Sequence, residues 1–286
     1  MIKNICDVNE ILDYTWKSSK DDVDAIYPRI ETIVNLKSYI EKYIDDKNKK
    51  VIACYDKGVL SGICLYYWIT DEKYAQTKVF LITGNYSKIA DEFISYIRTE
   101  FPSYEFLITC VPFNHKTANQ YLKNNNFKCV DSSIVTRICN LKPPKAPRSN
   151  SVEKLTKDNF EEYARFHDKF AIPFEMYYTF EKIKKEINIF RIFVFRDADK
   201  EIQGSIFIKA NKKESEIYGL FINDKYENKG IESILIDEML NELYNEFGSV
   251  KEVIFFIDEN STFELNSALA SGFKIQAKYK CYKCIL

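Results

Sequence analysis

Residues 220–235 read LFINDKYENKGIESIL, and this stretch decides the fold of the chain. It starts with an apolar run, which is typical of the end of a buried strand. A polar segment leads to Gly230, and apolar side chains then recur at every fourth position, at Ile231, Leu235, Met239 and Leu243, as in an amphipathic helix. A glycine-containing loop between a strand and a helix can hold a phosphate group, because the first peptide N–H groups of the helix have no partner within it.

The same order of features occurs twice along the chain. In each half, a predicted β-hairpin (51–69 and 190–210) precedes a strand, an amphipathic helix, an apolar strand, an asparagine, a short helix and a phenylalanine. Each hairpin carries a glycine at a matching place, and the asparagine lies thirteen positions before the phenylalanine in both halves (Gly62, Asn114 and Phe127; Gly204, Asn260 and Phe273). The sequence therefore predicts an internal duplication.

The two copies differ in the loop before the amphipathic helix. From the hairpin glycine to the asparagine there are 52 positions in the first copy and 56 in the second. The additional residues lie between strand and helix, so only the second copy has room for the loop that ends at Gly230. Residues 84–88 of the first copy are too short for it.

Residues 141–150 read LKPPKAPRSN and carry three of the seven prolines of the chain. This composition, without aliphatic periodicity, is typical of a stiff exposed connector. We therefore predict a first domain at 1–141, a proline-rich linker at 142–150 and a second domain at 151–286. A length of 286 residues also favours two domains.

Composition excludes several classes of function. The 41 basic and 42 acidic side chains leave a net charge of -1, so nucleic acid and anionic membranes are not expected partners. The N-terminus lacks the apolar run of a signal peptide and no stretch is long and apolar enough to span a membrane, which predicts a cytoplasmic protein. Eight cysteines without framework spacing indicate reduced thiols, and two histidines favour chemistry without a metal.

The loop of the second copy resembles the coenzyme A-binding loop of the GNAT acetyltransferases. Their pattern is an apolar strand, a turn, a tyrosine, and Arg/Gln-x-x-Gly-x-Gly/Ala at the start of a helix, and here Tyr226, Lys229 and Gly230 are in register. The resemblance implies an α/β (α+β) fold with two tandem GNAT-like domains, each a mixed, mostly antiparallel sheet flanked by helices. The first domain would be degenerate, because it lacks the loop.

The resemblance also implies acetyl-coenzyme A as acyl donor and no metal. Its pantetheine arm would pair with the backbone of the strand end, and its pyrophosphate would lie on the loop and first helical turn; the implied residues are Leu220, Phe221, Ile222, Glu227, Asn228, Lys229, Gly230, Ile231, Glu232 and Ser233. Asn260 would touch the pantetheine arm or cap the next helix. The chain departs from the pattern at Glu227, Asn228 and Glu232, and a solvated carboxylate beside a pyrophosphate adds repulsion of about 1 kcal/mol.

Two residues are candidates for moving protons. Glu216 stands eleven positions before Glu227, as the general base does in one branch of the family, or it merely starts an exposed strand. The usual tyrosine that protonates the departing thiolate is replaced by the pair at 267–268, and Tyr279 is the alternative, with a packing role also open. Residues 174–180 fall where the family shapes its acceptor pocket, although their aromatic side chains equally suit a core.

The resemblance thus predicts an N-acetyltransferase that moves acetyl from acetyl-coenzyme A to the amine of a small molecule by direct attack. A non-catalytic coenzyme A-binding or ligand-sensing protein that keeps the tandem fold is the alternative, favoured by Glu227, Glu232 and the missing tyrosine. A transferase for longer acyl groups is a third possibility. The sequence does not identify the acceptor.

Overall fold

The structure, a computed structural model, describes residues 1–20, 30–143, 149–156, 159–170 and 178–286. The chain divides into two compact units. The first unit comprises residues 1–132 and 278–286, and the second comprises residues 133–277. Within the described ranges, no helix is both long and apolar enough to cross a bilayer.

The first unit is a mixed sheet with helices on both faces. Its elements in chain order are β1 (Ile2–Asn4), α1 (Leu12–Ser18), α2 (Ile33–Ile44), β2 (Lys49–Asp56), β3 (Val59–Ile69), β4 (Tyr74–Ile82), α3 (Tyr86–Glu100), β5 (Glu105–Pro112), α4 (Lys116–Asn124) and the start of β6 (Lys128–Cys139). Strands β1 to β5 are neighbours in that order, and only β4 and β5 pair in parallel.

The second unit repeats this arrangement. Its elements are the end of β6, then β7 (Val152–Lys154), α5 (Phe160–Phe170), α6 (Phe180–Lys185), β8 (Phe190–Arg196), β9 (Ile202–Lys209), β10 (Glu214–Ile222), α7 (Ile231–Phe247), β11 (Glu252–Asp258), α8 (Thr262–Ala270) and the start of β12 (Lys274–Ile285). Strands β7 to β11 are neighbours in that order, with β10 and β11 parallel and the other pairs antiparallel.

The two sequence copies exchange their terminal strands: the last strand of each copy pairs with the sheet formed by the other copy. Residues 279–285 of β12 pair with β5 in the first unit, whereas residues 133–139 of β6 pair with β11 in the second. The compact units therefore differ from the sequence division at 1–141 and 151–286. The reason is that strand pairing joins residues distant in sequence, so the connection between two copies does not mark where their sheets close. Residues 144–148 of the predicted linker lie outside the described part of the chain.

The matching glycines lie where a helix packs closely on its sheet. A Cβ atom at Gly204 would stand 2.9 Å from Ile222 Cδ1 and 3.0 Å from Ile231 Cγ2, and one at Gly62 would stand 2.8 Å from Ile89 Cγ2. Each glycine allows the helix that follows the next strand, α3 or α7, to approach the sheet closely. This confirms that the two hairpins are structurally equivalent. The predicted helical stripe of the second copy is also confirmed, since Ile231, Leu235, Met239 and Leu243 are buried in one core with the α7 face of the sheet.

Candidate active site

A gap opens between the two parallel strands of the second unit. Strand β10 carries a bulge at Tyr218, because Ile217 faces Ile208 of β9 and Gly219 faces Phe207. Pairing of β10 with β11 runs up to Ile217 and Phe255 and stops there, although β10 continues to residue 222 and β11 to residue 258. The bulge turns β10 away from β11. An extended ligand can therefore pair with the inner edge of residues 218–222, as an added strand would.

The side chains of residues 220–222 do not occupy this gap. Leu220 and Ile222 are buried in the core beneath α7, and Phe221 lies on the opposite face, where its ring stacks on Phe170 with centroids 5.1 Å apart. The backbone of this segment is thus the part that faces β11. Successive side chains of a strand point to opposite faces of the sheet, so only the peptide N–H and C=O groups point sideways from its edge.

The loop after β10 presents a row of unused peptide donors. It contains a short 3-10 turn (Asp224–Tyr226), followed by Asn228 and Gly230 with positive φ values of 63° and 78°. Gly230 immediately precedes α7 and offers no side-chain cap. The N–H groups of the six consecutive residues 228–233 have no acceptor among the described residues, and the first helical bond runs from Ile234 N–H to the Gly230 carbonyl. Such a run of donors at a helix N-terminus is suited to a phosphate or diphosphate.

Hydrogen bonds tie the loop to the β8–β9 hairpin. Tyr226 donates its hydroxyl proton to Asp197 Oδ2 over 2.9 Å, and Gln203 Nε2 donates to the same oxygen over 2.7 Å. Asn223 Nδ2 in turn donates to Gln203 Oε1 over 2.6 Å. The loop is therefore held in place before any ligand arrives. Sequence reasoning missed Asp197 and Gln203, because a hairpin turn gives no sign of the loop that it contacts.

Carboxylates surround the start of α7. Glu232 is only 4% exposed and has no hydrogen bond or ion pair within the described part of the chain. Partial burial, followed by the charges of Asp258, Glu232 and Glu227, raises the pKa of Glu264 on α8 to about 7. The peptide donors at 228–233 thus fit a diphosphate, whereas the nearby acids oppose it. Protonation of Glu264 at or below neutral pH removes one of the opposing charges.

Glu216 lies two positions before the bulge and faces α5 and α6. Tyr218, on the same face, donates a hydrogen bond to Glu216 Oε2 over 3.3 Å and packs edge-on against Tyr178 with ring centroids 4.7 Å apart. Burial, with the Glu216 carboxylate beside it, raises the pKa of Tyr218, so this hydroxyl stays protonated at neutral pH. The structure therefore brings Glu216, the bulge and the start of the gap together. Of the segment expected to shape the acceptor pocket, residues 174–177 lie outside the described residues, and Tyr178 and Phe180 are core residues.

The remaining two predicted residues are placed differently. Asn260 follows β11 and its side chain donates to Asp258 Oδ1 over 3.0 Å, so it stands at the open end of the strand gap. Its alternative role as a helix cap is wrong, because Ser261 is the residue that precedes α8. Tyr279 is buried in the first unit, where it pairs with Pro112 of β5. The strand exchange is the reason that Tyr279 does not belong to the unit that holds the loop.

The first unit keeps the bulge of this site but differs at the start of its helix. Strand β4 is bulged at Lys78, because Tyr66 of β3 faces Thr77 and Leu65 faces Val79, and its parallel pairing with β5 ends at Gln76 and Leu107. Thr109 Oγ1 donates to the Thr77 carbonyl over 2.7 Å and Thr77 Oγ1 accepts from the Thr109 N–H over 3.2 Å, so hydrogen bonds join β4 and β5 just past their last parallel pair. At the start of α3, Asn85 Oδ1 accepts from the Lys88 N–H over 3.3 Å and caps the helix. The shorter loop thus leaves fewer donors for an anion than the start of α7 does.

Comparisons with known proteins identify the fold. No protein-family model matches the chain, and no curated protein matches its sequence. Among solved structures, it is similar to a GCN5-related N-acetyltransferase from Sphaerobacter thermophilus (13% identity, 100% of this chain and 95% of the other, TM-score 0.64). It is also similar to a tandem GNAT protein from the clavulanic acid biosynthesis pathway (11% identity, 100% and 98%, TM-score 0.53) and to a putative acetyltransferase from Pyrococcus horikoshii (11% identity, 100% and 89%, TM-score 0.51).

These similarities extend over the whole chain at low sequence identity. They show that the protein has the GNAT fold in a tandem arrangement, as the loop resemblance and the internal duplication predicted.

Proposed function

We propose that the second unit binds acetyl-coenzyme A and transfers its acetyl group to the amine of a small-molecule acceptor. The observation that carries the proposal is the row of six unused peptide donors at 228–233, directly after a strand that separates from its parallel neighbour. The row suits a diphosphate and the strand edge suits an amide-containing arm, and coenzyme A carries both groups in one molecule.

Each element of the site has a role in this reaction. The loop and the first turn of α7 would hold the diphosphate, and the edge of residues 218–222 would hold the pantetheine arm. When bound, acetyl-coenzyme A supplies a thioester carbonyl that a peptide N–H at the bulge would polarise. The acceptor nitrogen attacks this carbonyl and the carbon–sulfur bond breaks. Glu216 accepts the proton that the nitrogen loses, and Tyr218, hydrogen-bonded to Glu216, is positioned to return a proton to the departing thiolate.

The first unit would serve as a scaffold without coenzyme A. The Asn85 cap supports this assignment, because it uses a peptide donor at the start of α3, whereas the peptide donors at the start of α7 have no acceptor among the described residues.

A second candidate function is non-catalytic ligand binding. Glu232, which is buried and has no partner among the described residues, favours it together with Glu227, Asp258 and Glu264, because these charges weaken any diphosphate site. In this alternative, the fold and its gap would be kept without acyl transfer.

Calorimetric titration with acetyl-coenzyme A and with free coenzyme A, at low and moderate salt, tests the proposal. Gly230→Glu should abolish binding, because it adds charge and bulk at the donor row. Gly248→Glu is the matched control, since Gly248 follows the other end of α7, also has positive φ, and also has open space around its Cβ position. Binding that Gly230→Glu removes and Gly248→Glu keeps supports the proposed site. Binding that survives Gly230→Glu contradicts it, and no binding of either ligand favours the second candidate.

A further inference from the structure

Arg137 of β6 is a mostly buried cation with few partners among the described residues. Its side chain is 13% exposed, and its Nη1 lies 3.5 Å from Glu252 Oε2, whose side chain is 14% exposed. Its Nε–H is buried and has no hydrogen-bond partner within the described residues. A guanidinium in this setting normally has several hydrogen bonds, because burying unmet donors is unfavourable.

Other arginines of the second unit show what a satisfied guanidinium looks like here. Arg196, 20% exposed, donates from Nε to Glu153 over 2.7 Å and from both Nη atoms to Glu162 over 2.8 and 2.9 Å. Arg191, equally exposed, donates from both Nε and Nη2 to Glu246. Arg137 therefore has donor capacity that the described residues do not use.

Strand register places Arg137 on the face that carries Glu216. Arg137 is directly opposite Ile254 of β11, and Ile254 is directly opposite Glu216 of β10. Directly opposed residues of neighbouring strands point to the same face of a sheet. This is the face of Tyr218, α5 and α6, because the alternate residues Val253 and Ile138 contact the α7 core instead. Two strand spacings separate the backbones of Glu216 and Arg137 by about 10 Å.

We propose that the acceptor is an amino carboxylate, with its amine at Glu216 and its carboxylate on Arg137. A guanidinium binds a carboxylate through two parallel N–H···O bonds, and the unused donors of Arg137 can supply them. Glu216 and Arg137 flank Ile254 on this face, and both have long side chains, so a small amino acid is of the right length to bridge their charged groups. This inference rests on the proposed function, since it names the acceptor of the same site.

Matched ligand pairs test the inference. Glycine, β-alanine and γ-aminobutyrate carry amine and carboxylate at increasing separations, and methylamine, ethylamine and propylamine are the same molecules without the carboxylate. We expect the wild-type protein to bind at least one amino carboxylate about tenfold or more tightly than its matched amine, measured by calorimetry without coenzyme A. With acetyl-coenzyme A, kcat/KM should show the same preference.

A charge-neutral double variant tests the role of Arg137. Arg137→Met combined with Glu252→Gln removes the guanidinium without leaving a charged Glu252 behind, and should abolish the carboxylate preference. Arg191→Met combined with Glu246→Gln makes the same change at a satisfied pair and should keep the preference. Thermal unfolding of both double variants checks that they are folded. If Arg137 had only a structural role, the Arg137→Met/Glu252→Gln variant would have a lower melting temperature, but the ratio of affinities for each amino carboxylate and its matched amine would stay unchanged.

The outcomes separate this inference from the proposed function. Coenzyme A binding and acetylation of plain amines without a carboxylate preference would overturn the inference alone. A preference that persists in the Arg137→Met/Glu252→Gln variant would also overturn it. Failure to bind coenzyme A would contradict the proposed function. Calorimetry with the amino carboxylates and their matched amines would still decide whether Arg137 binds carboxylates.

Discussion

Replacing Glu264 by glutamine is expected to raise the stability of the second unit above neutral pH and to strengthen coenzyme A binding there. Glu264 is partly buried, and burial together with the carboxylates of Asp258, Glu232 and Glu227 raises its pKa from 4.5 to about 7. Glutamine has nearly the same shape and no charge. The substitution therefore removes electrostatic repulsion without opening a cavity.

The effect on stability follows from proton binding. Between pH 4.5 and about 7 the folded protein holds more protons at Glu264 than the unfolded chain does, so the free energy of unfolding falls as the pH rises through this window. A shift of this size corresponds to about 3 kcal/mol at most above pH 7. Partial solvent access lowers it, and we expect Glu264→Gln to be about 1 to 2 kcal/mol more stable than wild type at pH 8. Near pH 4 the two proteins should be equally stable.

The effect on binding has the same origin. Where only the protonated form of Glu264 tolerates a diphosphate, coenzyme A binds about tenfold more weakly at pH 8 than at pH 6. The variant should lack this part of the pH dependence. The ratio of wild-type to variant affinity cancels the titration of the ligand's own phosphate, which has a second pKa of about 6.

Chemical denaturation at pH 4 and 8 and calorimetric titration at pH 6 and 8 measure both quantities. Glu259→Gln is the control, because it removes one exposed acid nearby that does not act on Glu264. The reasoning is refuted if wild type and Glu264→Gln lose stability in parallel over this range, or if their affinity ratio is the same at both pH values.

Two further predictions concern the same unit. Glu216→Gln should lower turnover by about 10²-fold and leave coenzyme A affinity unchanged, because general-base catalysis contributes about 10² to 10⁴ to the rate. Steady-state kinetics measures turnover and calorimetry measures affinity. Unchanged turnover would remove Glu216 from the mechanism. Tyr226→Phe should weaken coenzyme A binding about threefold, because the loop loses its hydroxyl bond to Asp197, and equal affinity in calorimetry would show that this bond does not order the loop.

Much of the fold could be predicted from local patterns. The hairpins, the stripe from Ile231 to Leu243 and the close approach at Gly62 and Gly204 follow from residue spacing, and all are present in the structure. The loop at 223–230 was recognisable for the same reason, since strand, glycine and helix are consecutive in the chain. Each of these features depends on neighbours within a few residues.

The electrostatic character of the site could be predicted only in part. Glu227 and Glu232 were visible as departures from the expected loop pattern, but Asp258 and Glu264 come from β11 and α8. Their charges act on one another only after α7 packs beside α8. The raised pKa of Glu264 is therefore a property of the packing and not of its sequence neighbourhood.

The sequence alone determined that the chain is duplicated, that each copy alternates strands and helices in this order, and that the second copy has a longer, glycine-containing loop between strand and helix. Tertiary structure decided which strands complete which sheet, that Asp197 and Gln203 hold the loop, and that Arg137 shares a face with Glu216. The physical reason is that a helix or turn forms from contacts within a few residues, whereas sheet register joins residues more than a hundred positions apart, such as Arg137 and Ile254.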